Sequence, residues 1–79
     1  MIDFENRIEI NPKILTGKPI IQGTRISVEL IVKLVAQRWS DEDIIKEYPM
    51  LKNEDIQAAL YYAESLIENE EVYPLVVNK

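Results

Sequence analysis

The chain contains neither cysteine nor histidine among its 79 residues. Without cysteine no disulfide can form, which is typical of proteins that work in a reducing compartment. Zinc, haem and non-haem iron sites depend on Cys and His ligands, so their joint absence argues against a transition-metal site. We therefore expect a cytoplasmic protein that carries no metal and no cofactor.

The same two absences argue against catalysis. Histidine is the commonest general acid–base residue, and cysteine is the most reactive nucleophile. A chain of 79 residues also has little room for both a core and an enclosed pocket of about 300 Å³ or more. The composition favours a non-enzymatic binding protein, for which we expect no catalytic residue.

Long hydrophobic runs are absent too. Apolar stretches such as Leu30–Val32 are far shorter than the ~20 residues that a membrane-spanning helix needs. The polar, acidic start, Met1–Arg7, is unlike a secretory signal. A domain of this size is only marginally stabilised by its own core. With no disulfide or metal, association of subunits is the remaining support, so we expect a homodimer and no membrane partner.

Positive charge is scarce in the second half of the chain. Residues 1–39 carry six basic and four acidic side chains, whereas residues 40–79 carry three basic and ten acidic ones. Within residues 11–39, five basic side chains are accompanied by a single acidic one, Glu29. An anionic partner should therefore meet the N-terminal half, and a basic partner the C-terminal half.

Glycine is limited to two residues, both in the segment 17–26. Residues 7–10 alternate polar and apolar side chains, which predicts a short strand. The glycines punctuate the following segment, for which we predict two short extended pieces, 19–22 and 24–26.

Three amphipathic segments follow. Ser27 is predicted to cap a first helix over 28–38, whose apolar residues form two adjacent stripes. Ser40 and Asp43 have the spacing of a capping box, which predicts a short second helix that Pro49 ends.

The third helix is predicted from a cap at Asn53 to about Asn69. Its inward stripe has helical spacing and consists of Ile56, Ala59, Leu60, Ala63 and Ile67. The pattern predicts a mainly α fold, a three-helix helix-turn-helix bundle with a short N-terminal β element and an extended C-terminal tail. We expect a single domain, 1–79, divided into the β element 1–26, the helical core 27–69 and the tail 70–79.

A candidate DNA- or phosphate-binding segment precedes the first helix, and its members are Lys18, Gly23, Thr24 and Arg25. The cations would contact phosphate oxygens, and the glycine would let the backbone approach them. The alternative is structural: Arg25 would pair with a carboxylate, Asp43 or Glu47, and hold the N-terminal segment against the helices.

A candidate partner-binding surface lies at the other end of the chain. The third helix contains no Lys or Arg, which disfavours its insertion into a DNA groove. Its acidic end and the apolar tail instead predict contact with a basic protein, although a merely solvated helix end is the alternative. The candidate residues are Glu64, Glu68, Glu71, Val72, Leu75 and Val76.

The motifs together resemble the family known as domain of unknown function 433. The matching residues extend from about residue 7 to 63 and include Asn11-Pro12, Gly17-Lys18-Pro19, Ile21, Gly23-Thr24-Arg25-Ile26, Val28, Trp39-Ser40, Tyr48-Pro49, Leu51, Asp55-Ile56, Ala58-Ala59-Leu60 and Tyr62-Ala63. Two positions depart from the family pattern. Arg38 stands where a glycine before Trp39 is usual, and Lys52 stands where a Ser or Thr cap is common.

The resemblance implies a homeodomain-like helix-turn-helix fold and an antitoxin role of the VapB type, commonly beside a toxin of the PIN-like nuclease class. On that basis we expect the antitoxin or regulator of a type II toxin–antitoxin system. It would bind its toxin, and its Gly-Thr-Arg segment would touch operator DNA. The alternative is a protein-interaction or assembly module that binds no nucleic acid.

Overall fold

The computed structural model describes residues 6–69, which form a two-stranded sheet followed by three helices. The predicted mainly α fold with a short N-terminal β element is confirmed. Residues 1–5 and the predicted tail, 70–79, lie outside the described residues. Within 6–69, no helix is long and apolar enough to cross a membrane. The elements are β1 (Ile8–Ile10), a short 3-10 turn (Leu15–Gly17), β2 (Pro19–Ile21), α1 (Val28–Ala36), α2 (Asp41–Glu47) and α3 (Asn53–Asn69).

The strands β1 and β2 pair antiparallel. Ile8 lies opposite Ile21, and Ile10 lies opposite Pro19. Proline has no N–H to donate to a partner strand, so it is tolerated here at the first position of β2. The hairpin places the buried face of β2 against α1.

The second predicted extended piece, 24–26, is not a strand, and that prediction is wrong. After β2 the chain turns back, and the N–H of Ile21 donates to the carbonyl of Ile26 at 2.9 Å. Only one isolated bridge follows, between Ile20 and Ser27. The helix that starts immediately after Ser27 prevents a longer ladder from forming.

Helix α1 begins after Ser27, as predicted. The Ser27 hydroxyl accepts a hydrogen bond from the N–H of Leu30 at 2.9 Å, which satisfies one of the free donors of the first turn. The helix ends at Ala36, earlier than the predicted end at residue 38, because Arg38 adopts a φ of +74°. A left-handed residue cannot continue a right-handed helix.

The α1 terminus has the hydrogen bonds of a Schellman motif. The N–H of Arg38 donates to the carbonyl of Val35 at 2.9 Å, and the N–H of Trp39 donates to the carbonyl of Leu34 at 3.0 Å. This pattern satisfies the last helical carbonyls and requires a left-handed residue between helix and loop, which is glycine in most proteins. Trp39 then packs against the core.

Helix α2 opens with the predicted capping box. The Ser40 hydroxyl accepts from the N–H of Asp43, and the Asp43 carboxylate accepts from the N–H of Ser40, both at 3.0 Å. The helix ends at Glu47, close before Pro49, as predicted.

The cap of α3 differs from the prediction. Asn53 is already helical, so Lys52 occupies the cap position, and its carbonyl accepts the N–H of Asp55 at 2.9 Å. Lysine has no side-chain acceptor. Asp55 replaces part of the missing cap, because its Oδ2 accepts the N–H of Lys52 at 2.9 Å.

One isoleucine from each of β2 and the three helices belongs to the same buried hydrophobic cluster. Each has at most 2% of its surface exposed, and they are Ile21, Ile31, Ile44 and Ile56. Burying one such side chain contributes roughly 1.5–3 kcal/mol. The core therefore joins the hairpin to all three helices, and the described part of the chain folds as one unit.

The last turns of α3 extend past this core. Ile56 and Ala59 are buried, as the predicted stripe requires, and Leu60 and Ala63 are half-buried. Ile67, predicted to face inward, is 64% exposed, so that prediction is wrong. No described element covers α3 beyond Ala63, so the apolar periodicity continues without a partner.

Candidate binding surfaces

The Gly23 turn is built by the backbone and by Thr24. Gly23 has a φ of +80°, and the N–H of Thr24 donates to the carbonyl of Ile21 at 3.0 Å. A positive φ at this position is typical of a type II turn and favours glycine. The Thr24 hydroxyl donates to the Ile21 carbonyl at 2.8 Å and accepts the N–H of Ile26 at 2.9 Å. Both residues therefore shape the turn.

The four members of the candidate phosphate segment do not form one cradle. The Thr24 hydroxyl is occupied within the turn. The Nζ of Lys18 is paired with Glu29 at 2.8 Å, and both side chains are largely exposed. The hydrogen bond from Lys18, together with its charge, lowers the pKa of the Glu29 carboxyl, and the Lys33 charge acts in the same direction. Arg25 is left as the available cation of the segment.

Residues 6–69 supply no carboxylate partner of the kind that the structural alternative for Arg25 requires. Arg25 is exposed, and it makes no ion pair with Asp43, Glu47 or any other carboxylate of residues 6–69. Its position on a turn between β2 and α1 directs it to the surface.

Arg7 has the role that the structural alternative gave to Arg25. Its Nη1 lies 2.8 Å from Oδ1 of Asp55, a contact that joins the start of the hairpin to the start of α3. Asp55 is buried although it belongs to the acidic first turn of α3, with only 8% of its surface exposed. Its two oxygens accept from Arg7 and from the Lys52 backbone, which compensates for burying the carboxylate.

A continuous acidic and apolar face runs along the outside of α3. Residues 57, 61, 64 and 68 recur with helical spacing and share one side of the helix. Glu64 and Glu68 are exposed, as predicted, and neither is ion-paired within the described chain. We call this surface the α3 outer face and define it as Gln57, Leu60, Tyr61, Glu64, Ile67 and Glu68.

The α3 outer face contains a shallow groove of about 250 Å³. Its lining combines the half-buried Leu60 and the 45% exposed Tyr61 with Gln57 and Glu64. Leu66 and Ile67, 48% and 64% exposed, extend the apolar surface toward the end of the helix. The other candidate partner-binding residues, Glu71, Val72, Leu75 and Val76, lie outside the described residues.

A second, larger groove lies at the junction of α1 and α2 and measures about 480 Å³. The sequence patterns treated its residues as helix ends and core, so this groove was not predicted. One residue could have indicated the groove. Arg38 stands at the end of α1, where the chain requires a positive φ and glycine is usual. The lining residues are Arg38, Trp39, Asp43, Lys46 and Glu47.

The Asp43 carboxyl in this groove has a lowered pKa. Hydrogen bonding with the backbone and then the side chain of Ser40 is the main cause, and the nearby Lys46 charge adds to it. Asp43 is therefore held ionised by the helix cap.

The described residues contain no group of three or more His, Cys, Asp or Glu side chains placed to hold a metal ion. The described residues form a small three-helix domain with an N-terminal hairpin and open grooves on its surface. The family model "Protein of unknown function (DUF433)" matches residues 8–63. The chain belongs to this family.

Two relatives illustrate the membership. The uncharacterized protein y4eO of Sinorhizobium fredii (strain NBRC 101917 / NGR234) is 38% identical over 55 residues, which are 70% of this chain and 25% of that protein. The chain thus matches only about a quarter of that relative's length. The crystal structure of a DUF433 member protein from Anabaena variabilis ATCC 29413 is 36% identical, with a TM-score of 0.75, over 81% of this chain and 63% of that one.

Proposed function

We propose that this protein is the antitoxin or regulator of a type II toxin–antitoxin system, a non-catalytic cytoplasmic protein that binds its toxin through the α3 outer face. The observation that carries the proposal is the composition of that face. Exposed Tyr61 and Ile67 lie among the glutamates Glu64 and Glu68, and α3 contains no basic residue.

Both parts of the face suit a basic protein partner. A nuclease of the PIN-like class needs positive charge to hold its nucleic acid substrate, and such a surface attracts the glutamates of α3. Exposed aromatic and aliphatic side chains supply the apolar contacts that hold a complex together once formed. Nucleic acid is repelled by the same face, since it adds negative charge to negative charge.

The test is the association rate with the nuclease encoded beside this gene. Changing Glu64, Glu68 and Glu71 to Gln should slow association several-fold at low salt, because complementary charges mainly raise the association rate. The difference should shrink as the Debye length falls to about 8 Å near 0.15 M salt. Stopped-flow kinetics measures both effects.

A matched control removes the same number of charges elsewhere, by changing Glu9, Glu42 and Glu47 of β1 and α2 to Gln. It should leave the association rate close to that of the unmodified protein. Equal rates for the variant with Glu64, Glu68 and Glu71 changed and for the unmodified protein at low salt would mean that these glutamates are only solvated.

A second role, contact with operator DNA, is supported by Arg25 alone. Arg25 is exposed and has no ionic partner within residues 6–69, whereas Lys18 is paired with Glu29. Two copies of Arg25 in a homodimer would contact two phosphates. A protein-interaction or assembly module that binds no nucleic acid is the alternative.

Comparing Arg25→Ala with Arg7→Ala separates the two roles. Arg25→Ala should leave the melting temperature unchanged and reduce the salt dependence of DNA binding by about one unit per lost contact. Arg7→Ala should destabilise the fold by roughly 1–3 kcal/mol, because the buried Asp55 carboxylate loses the charged hydrogen bond that Arg7 donates. Thermal unfolding and salt-dependent DNA titrations measure these effects. A large loss of stability in Arg25→Ala would overturn the DNA role, and absence of any DNA binding would favour the alternative.

A further inference from the structure

The groove at the junction of α1 and α2 shares no residue with the α3 outer face, so a ligand bound there would have a role separate from the proposed toxin contact. Its volume of about 480 Å³ lies within the range of ordinary small-molecule sites, roughly 300–1,000 Å³. It combines an indole with side chains of both charges.

The backbone at Arg38 is strained, and the side chain makes no described contact that offsets this strain. Arg38 has a φ of +74°, which the Schellman hydrogen bonds of Arg38 and Trp39 require. Glycine adopts this conformation without strain, and an arginine does not. The guanidinium is exposed and forms no ion pair with the described residues. Strain that brings no visible structural contact is a reason to look for a ligand.

The other lining groups define what such a ligand would contain. Lys46 is exposed and has no ion-pair partner between residues 6 and 69, and no described group accepts the indole N–H of the half-buried Trp39. Asp43 is occupied by the Ser40 N–H, whereas Glu47 is exposed without an ion pair in that range. The groove therefore offers an arginine fork, a flat ring and one available carboxylate.

These groups match a small molecule that joins a single oxyanion to a flat, hydrogen-bonding ring. A planar guanidinium binds phosphate through two parallel hydrogen bonds, and an indole stacks on aromatic bases. The two carboxylates balance the two cations, so a polyanionic nucleic acid gains little here, while Glu47 can accept from the amino group of a base. We propose that this groove binds a nucleoside monophosphate, with the phosphate on Arg38 and the base beside Trp39.

Trp39 is the single tryptophan of the chain, so its fluorescence reports directly on the groove. The four common ribonucleoside monophosphates are titrated with excitation at the red edge of the indole band, where bases do not absorb. Inorganic phosphate and the free nucleosides serve as separate arms. We expect saturable quenching by at least one monophosphate, and weaker binding of its nucleoside and of phosphate alone.

Two variants and one control assign the contacts. Arg38→Gly relieves the strain and should fold well, yet it should weaken binding roughly tenfold or more, because a charged, forked contact is lost. Arg38→Lys keeps the positive charge but not the forked guanidinium. Its affinity should lie between those of the unmodified protein and Arg38→Gly. Lys33→Gln removes an exposed cation of α1 that does not line the groove, and it should bind as the unmodified protein does.

Several outcomes would overturn the proposal. One is unchanged Trp39 fluorescence with all four monophosphates. Another is an affinity for inorganic phosphate alone, or for a free nucleoside, equal to that for the monophosphate. A third is an equal loss of affinity in Lys33→Gln and Arg38→Gly. The last result would indicate general charge attraction rather than a site.

Discussion

At the scale of single residues, backbone conformation and hydrogen bonding decide what each side chain does. Arg38, Thr16 and Leu15 all have positive φ values although none is glycine. Arg38 is the informative case, since it ends α1 at the position where the family pattern has a glycine. Arg38 does not change the way in which the helix ends, because it adopts the left-handed conformation that a glycine would adopt there, with a strained backbone.

Replacing Arg38 with glycine should therefore stabilise the fold. A left-handed conformation costs a non-glycine residue about 1 kcal/mol or more, and glycine avoids most of that strain. We expect Arg38→Gly to raise the free energy of unfolding by about 1 kcal/mol. This increase corresponds to a melting temperature roughly 4–8 °C higher in a domain of this size. Arg38→Ala keeps the strain and should show no such gain. Thermal unfolding of both variants makes the comparison, and equal melting temperatures would contradict it.

At the scale of the elements, side-chain caps set where α1 and α2 begin. Ser27 and Ser40 both accept backbone N–H groups three residues on, and Asp43 completes a box with Ser40. Helix α3 lacks such a serine and depends on Asp55, which also holds Arg7. The start of α3 is therefore joined to the hairpin by one buried carboxylate, that of Asp55. The starts of α1 and α2 are instead capped by the serine that precedes each helix.

The capping box of α2 should make stability depend on pH through Asp43. Because folding lowers the pKa of Asp43 below its ordinary value of 3.8, the unfolded chain binds more protons in this range. The contribution is complete above that pH and is lost as the pH falls through the folded-state pKa. The difference in unfolding free energy between the unmodified protein and Asp43→Asn should shrink as the pH is lowered from about 5 to 2.

Urea unfolding at a series of pH values measures this difference. Asp41→Asn is the matched control, because it removes one carboxylate from the same helical turn and keeps the Ser40–Asp43 hydrogen bonds. A difference between Asp43→Asn and the unmodified protein that stays constant with pH would show that the carboxylate charge does not stabilise the cap.

At the scale of the whole molecule, the packing of the helices decides which apolar side chains stay uncovered. Both stripes of α1 pack within the described core: Val28, Ile31 and Leu34 are buried, and Leu30 and Val35 are half-buried against them. Helix α1 therefore gives no reason of its own to expect a second subunit. Among the exposed large apolar side chains, Leu66 and Ile67 are neighbours at the end of α3.

The homodimer stays a prediction, now placed at the end of α3. Two copies that meet there bring Glu64 and Glu68 close to their own equivalents, so dimerisation should strengthen as salt screens the repulsion. Toxin binding by the same face should weaken with salt, which distinguishes the two partners. Sedimentation equilibrium at micromolar concentration measures the dimer, and Ile67→Gln should reduce it. A monomer at every salt concentration would refute the dimer.

The sequence by itself determined the features that depend on residues close together in the chain. Serine caps, the capping box, Pro49 as a stop and the helical periodicities all act over about one helical turn, so the patterns predicted three helices close to their observed bounds. The lack of Cys likewise needs no coordinates to exclude disulfides.

The tertiary structure decided what depends on distant segments. The pairing of β1 with β2, the contact between Arg7 and Asp55 across 48 positions, and the exposure of Ile67 all follow from which elements meet in space. Periodicity shows that one side of a helix is apolar, but it does not show how far along the helix a neighbour extends. The sequence left two roles open for Arg25, a surface cation or an ion-pair partner. The fold places Arg7, and not Arg25, beside the buried carboxylate of Asp55.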